Sequence, residues 1–167
     1  MRKAVLFIIG ITMTLCSYGQ KVEINSKGLF INSNKITLLT SPEFIQNILG
    51  SPDRKFLKLN TIWTYDNLGM MLYIDPVTGN LKEIGIDFEK ADYAFSPKKH
   101  YSGEMIIHGF YISVNTPIVS IKKISELNFE EDVPHFQIFR AQTNYLNLIF
   151  QYLDDVKKLE SIGIGFY

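Results

Sequence analysis

The sequence predicts an α+β protein: a small antiparallel sheet plus one short helix, ββαβββ, occurring twice in tandem behind an N-terminal signal peptide. Two observations predict it, a recurring strand motif and the same order of turn and cap signals in each half. Leu81-Lys-Glu-Ile-Gly-Ile-Asp-Phe88 returns as Leu159-Glu-Ser-Ile-Gly-Ile-Gly-Phe166, five identities in eight at an offset of 78. Upstream, Leu29 to Leu38 matches Met105 to Val114 at an offset of 76.

In the first half, Leu29–Ile31 and Lys35–Leu39 flank Asn32-Ser-Asn34 and read as a hairpin. Thr40-Ser-Pro-Glu43 then supplies a cap, a first-turn proline and an acid at the positive helix end, so a helix starts there. Phe44, Ile45, Ile48 and Leu49 share one face, and Gly50 and Pro52 stop it. Strands follow at Ile62–Tyr65, Met70–Ile74 and Leu81–Phe88, separated by turns at 66–69 and 75–80. In the second half Thr116-Pro117 opens a helix through Ile118, Ile121, Ile124 and Leu127. Strands are expected at His135–Arg140, Leu146–Tyr152 and Leu159–Phe166. The predicted units are 20–90 and 104–167, with 91–103 as linker. Leu81, Glu83, Gly85 and Asp87 are expected on one face of their strand, with the more apolar Lys82, Ile84, Ile86 and Phe88 opposite, under the helix. Gly85 and Gly163 mark a bulge or a close backbone approach.

Residues 1–19 read as a leader: Arg2 and Lys3, an apolar run from Ala4 to Leu15, and a small-residue end at Ser17-Tyr-Gly19, with cleavage before Gln20. The run is too short to span a bilayer. Lipidation at Cys16 is disfavoured by Leu15, where a small residue is required. Loss of the leader's 19 residues from the 167 removes Cys16, the one cysteine, along with two of the 17 bases, leaving 15 bases against 17 acids. That excludes a disulfide scaffold and thiolate chemistry. With 46% hydrophobic residues the chain is not disordered, and the charge balance argues against nucleic-acid binding.

Three motifs carry a resemblance. Leu49-Gly-Ser-Pro-Asp-Arg54, Tyr65-Asp-Asn-Leu-Gly69 and Pro97-Lys-Lys-His-Tyr-Ser-Gly103 resemble the motif series of an uncharacterised bacterial domain family, for which no chemistry is implied. The leader end resembles those of Bacteroidota. The helix, Leu-Gly-x-Pro and Trp-x-Tyr order is similar to small assembly lipoproteins of the BamE type, and a duplicated unit of about this size is similar to the secreted beta-lactamase inhibitor protein. Both resemblances imply binding modules and concern fold alone.

Candidate chemistry is sparse. His100, His108 and His135 lack metal-site spacing, and Glu130-Glu-Asp132 lacks the alternating ligands and glycine of a calcium loop. The acids of the 75–80 turn and Asp154-Asp155 suit hairpin loops. No phosphate loop, nucleophile elbow or Ser-x-x-Lys set is present. Asp53, Asp66, Asp87 and Glu104 are the carboxylates from which a small hydrolase would draw. Asp53, Arg54, Tyr65 and Asp66 are the candidate binding residues. Arg54 either pairs with Asp66 to lock a loop to the sheet or joins Tyr65 in an exposed interface cluster. Trp63 is assigned to the core. The sequence thus predicts an exported, non-enzymatic binding protein of the cell envelope, without cofactor or metal, whose partner is a protein. It would serve in an inhibitory, immunity-like or assembly role. A carrier of a small apolar ligand or lipid and a small hydrolase are the alternatives.

Overall fold

A computed structural model of the chain describes residues 20–57, 61–91, 93–130, 137–153 and 158–166. The predicted leader, Cys16, Glu131, Asp132, His135 and Asp154-Asp155 lie outside the described residues. The fold is a two-sheet sandwich with 48% strand and 9% helix, which corrects the α+β expectation. Five strands form the smaller sheet: β1 (Lys21–Asn25), β2 (Gly28–Ile31), β3 (Asn34–Ile36), β8 (Glu104–Ile107) and β9 (Phe110–Ile112), in the order β3-β2-β1-β8-β9. The larger comprises β4 (Arg54–Leu57), β5 (Thr61–Tyr65), β6 (Met70–Ile74), β7 (Leu81–Asp87), β10 (Asn128–Phe129), β11 (Ile138–Gln142), β12 (Leu146–Leu153) and β13 (Lys158–Phe166). Its order is β10-β11-β12-β13-β7-β6-β5-β4.

The ββαβββ unit fails for two physical reasons. First, each meander has four strands, because the short edge strands β4 and β10 lack a legible alternation. Second, the halves share both sheets. β7 pairs antiparallel with β13, Gly85 opposite Gly163, and β1 lies parallel to β8 between the two hairpins. The apolar face of an eight-stranded sheet is too wide for the helices that were expected to cover it. Helix α1 (Pro42–Leu49) is only about 12 Å long at 1.5 Å per residue, and α2 (Ile118–Ile121) is half that. The other sheet covers the face instead. Val22, Ile24, Leu29, Met105 and Ile107 from one sheet and Leu72, Ile84, Ile86, Leu148, Phe150 and Ile162 from the other form one core with Ile45, Ile118 and Ile121 of the helices.

Local chemistry explains the elements that were anticipated. Ser41 Oγ accepts from Phe44 N at 3.2 Å, Pro42 fills the first turn, and Gly50 ends α1 at φ 83°. Asn32 and Ser33, at φ 49° and 67°, make the left-handed two-residue turn of the β2–β3 hairpin, and His108 and Gly109 do so between β8 and β9. Asp75 Oδ1 accepts from the Val77 and Thr78 amides in the β6–β7 turn. α2 is shorter than its apolar period because Pro117 offers no capping side chain and Thr116 Oγ1 accepts from Ser113 N instead. Single turns carry the chain onward and still bury Ile124 and Leu127. A register shift opposite Tyr73/Ile74 turns Leu81 into the core, so only Glu83, Gly85 and Asp87 share the outer face.

Candidate functional site

Asp53, Arg54 and Asp66 come together at the β4–β5 edge. Asp53 Oδ2 accepts from Asp66 N at 2.8 Å. The Arg54 Nε donates to both Asp66 carboxylate oxygens at 3.2 and 3.0 Å, and its Nη2 reaches Oδ1 at 2.5 Å. The same guanidinium donates to the carbonyls of Ala94 and Ser96, at 2.9 and 2.6 Å. Asp66 also accepts from Lys98 N, and its backbone carbonyl from Lys99 N. Burial raises the Asp66 carboxyl, but the bonds from Arg54 and Lys98 outweigh it and hold the group below its ordinary value. Asp66 is 3% exposed. Tyr65 does not join the cluster. Alternation sends it to the opposite face, into the core beside Trp63, where burial pushes its phenol up to about 12.

This network ties down the segment expected to be a linker. Residues 93–101 form a strap across the outer face of β4–β6, with Thr64 Oγ1 donating to Phe95 O and the Phe95 ring edge-on to Tyr73. The strap ends at Tyr101, whose amide donates to Asp87 O and whose hydroxyl donates to Gln20 O. Gly69 has φ 67°, and a Cβ there would sit 2.2 Å from Tyr101 N, so only glycine fits. The three sequence motifs therefore meet in one place.

Beyond the strap no described residue covers the outer face, and a cleft of about 160 Å³ lies at its centre. Gly85 and Gly163 make the floor, Met71, Tyr73 and Tyr93 one wall, and Ile149 and Gln151 the other. Glu83 and Asp87, four residues apart on β7, stand at its ends. Asp87 is 3% exposed, and among the described residues its Oδ2 has no hydrogen-bond partner; Glu160 Oε2 has none among them either. Burial, together with the nearby Glu160 charge, pushes the Asp87 carboxyl up to about 7. Burial also raises Glu83, Tyr73 and Tyr93. The sequence placed Glu83 and Asp87 on the polar face but gave no sign of Tyr73, Tyr93 or Glu160. The one available clue was an acid on either side of a repeated strand glycine.

His100 is exposed on the strap, and His108 occupies the β8–β9 turn, where its Nε2 is buried with no hydrogen-bond partner among the described residues. Glu130 accepts from Gln142 Nε2. Among the described residues no three His, Cys, Asp or Glu gather as a metal site, and no helix is long and apolar enough to cross a membrane. An apolar groove of about 340 Å³ opens at one end of the sandwich, between Leu29, Ile36, Leu38, Tyr145 and Phe166.

The model of a domain of unknown function, DUF7738, matches residues 21–122, more than half of the chain. The chain belongs to the DUF7738 family. The matched stretch of this DUF7738 protein runs from β1 through α2 and contains the strap, its anchors and Glu83, Gly85 and Asp87, but not β13. No curated protein matches the chain. Among solved structures, the chain resembles an extracellular protein containing an SCP domain from Bacillus anthracis str. Ames, determined at 1.5 Å, with TM-score 0.51 and 12% identity. The match covers 78% of this chain and 46% of that one, so the chain spans less than half of that protein's length, and the likeness concerns the fold alone.

Proposed function

We propose that this DUF7738 protein is an exported, non-catalytic binding protein of the cell envelope, which recognises another protein through the open outer face of its larger sheet. The observation that carries the reading is the cleft on that face, where a buried carboxylate oxygen lacks a partner among the described residues. A buried polar group left unpaired costs free energy, and a partner that supplies the missing donor returns it. The surrounding surface, with Ile149, Gln151, Leu153, Ile138 and Arg140, mixes apolar and polar side chains as non-obligate interfaces do. Arg54 and Asp66 serve this face as positioning residues, holding the strap that carries Tyr93. Export is supported by the charged, apolar and small-residue succession of residues 1–19. The groove of about 340 Å³ favours a second reading, a carrier of a small apolar ligand or lipid.

Affinity capture from native envelope, using wild type, Ile149→Asp and Tyr111→Ser, separates these readings. Tyr111 lies on the smaller sheet and is 73% exposed. A protein retained by wild type and Tyr111→Ser but lost by Ile149→Asp is the expected result. A partner lost only with Tyr111→Ser, or lipid recovered alone, contradicts it.

A further inference from the structure

We infer that the cleft over Gly85 and Gly163 takes a basic side chain, arginine or lysine, from the partner protein, with its cationic head on Asp87 and its stem along Met71, Tyr73 and Ile149. This rests on the reading of the outer face as the recognition surface and names what that surface reads. Among the described residues no lysine or arginine pairs with Glu83, Asp87 or Glu160, although Asp66 on the same face has both Arg54 and Lys98. Among the described residues the protein thus neutralises one buried acid internally and leaves another, at the end of a cavity, without a cation. An ionised carboxylate in such surroundings gains most from a cation with donors of its own.

The shape of the cleft agrees. Its depth comes from two missing side chains: a Cβ on Gly163 would sit 2.7 Å from Glu83 Oε1, and one on Gly85 3.1 Å from Met71 Cε. A volume of about 160 Å³ admits a long narrow side chain but not a folded element. The lining is mostly polar, with Met71 and Ile149 as aliphatic contacts facing each other across the floor and an acid at each end, which suits a side chain with a slender stem and a charged head.

The test uses full-length protein expressed with its leader and recovered from the envelope, titrated with acetyl-arginine amide and acetyl-lysine amide. Acetyl-citrulline amide is the uncharged control. Amide NMR signals of Gly85, Asp87 and Gly163 are followed in wild type, Asp87→Asn and Gly163→Ala. The expected result is saturable shifts with millimolar affinity for the two cations, at least tenfold weaker in both variants and absent with citrulline. Asp87→Asn keeps the shape of the side chain, and Gly163→Ala keeps every charge while displacing Glu83, so together they separate charge from space. Equal shifts with citrulline, or shifts unchanged in Asp87→Asn, overturn the inference. If the cations bind here while no protein is held on the outer face, the protein-binding reading fails alone. If a partner is held there with affinity unmoved by both variants, the cation inference fails alone.

Discussion

Replacing Asp87 with asparagine removes a charge that the fold buries without compensation, and its effect on stability is set by pH. The carboxyl rises from an ordinary 3.8 to about 7 in the folded protein. A carboxyl raised in this way contributes its stabilisation fully below its unfolded value and loses it as pH rises through the folded value. Each unit of difference corresponds to about 1.4 kcal/mol. Between pH 5 and pH 8 the unfolded chain is already ionised at this position, while the folded protein is forced to ionise near pH 7. Wild type therefore loses about 2–3 kcal/mol across that window through Asp87, a loss that Asp87→Asn escapes. Glu83 shifts in the same direction but is present in both proteins and cancels in their difference. Urea unfolding of both proteins at pH 5, 6, 7 and 8 reads this directly. The asparagine variant should gain on wild type by about 2–3 kcal/mol from pH 5 to pH 8, or roughly 5–10 °C in Tm for a domain of this size. A gap that stays constant within about 0.5 kcal/mol over that range would mean that Asp87 ionises like an exposed acid, and the description of the cleft would be wrong.

The strap gives the remaining predictions. Arg54→Ala strands the buried Asp66 carboxylate and should cost about 3 kcal/mol or more, with faster proteolysis between residues 93 and 99 as the readout of strap release. Because the Asp66 carboxyl is held below its ordinary value, its contribution is present above the unfolded carboxylate range and lost in acid. The stability gap between wild type and Arg54→Ala should therefore narrow as pH falls through the carboxylate range, as urea melts at neutral and acid pH would show. Gly69→Ala combines φ 67° with a Cβ 2.2 Å from Tyr101 N, and should destabilise by more than about 3 kcal/mol in urea melts, whereas alanine at Gly79, with no described residue within 4 Å of its Cβ, should cost only its left-handed strain of about 1 kcal/mol.

What the sequence made legible was local. Ser41, Pro42 and Gly50 announce α1, and the turn pairs at 32–33 and 108–109 announce their hairpins, because the determining atoms lie within a few residues of one another. β4, with Arg54 and Lys55 among four residues, and β10, with two residues, are too short to show a period. Pairing of Gly85 with Gly163 joins residues 78 apart, and no local pattern encodes that the two halves will share a sheet instead of each building its own. The same distinction divides the site. The Arg54–Asp66 lock was one of the two readings the sequence allowed, since the pair lies across one hairpin. The separation of Tyr65 from that pair follows from strand alternation and was legible in principle. The burial of Asp87 was not, because it depends on a strap arriving from residues 93–101 and on Glu160 from the far half of the chain.

Site-specific photo-crosslinking in the native cell tests the central claim most directly. A photoreactive amino acid at Gln151, on the outer face of the larger sheet, is compared with one at Tyr111 on the smaller sheet. The account predicts a covalent adduct with one protein from position 151, abolished when Asp87→Asn is added, and none from position 111. Adducts confined to position 111, or crosslinks to lipid alone from position 151, would contradict it.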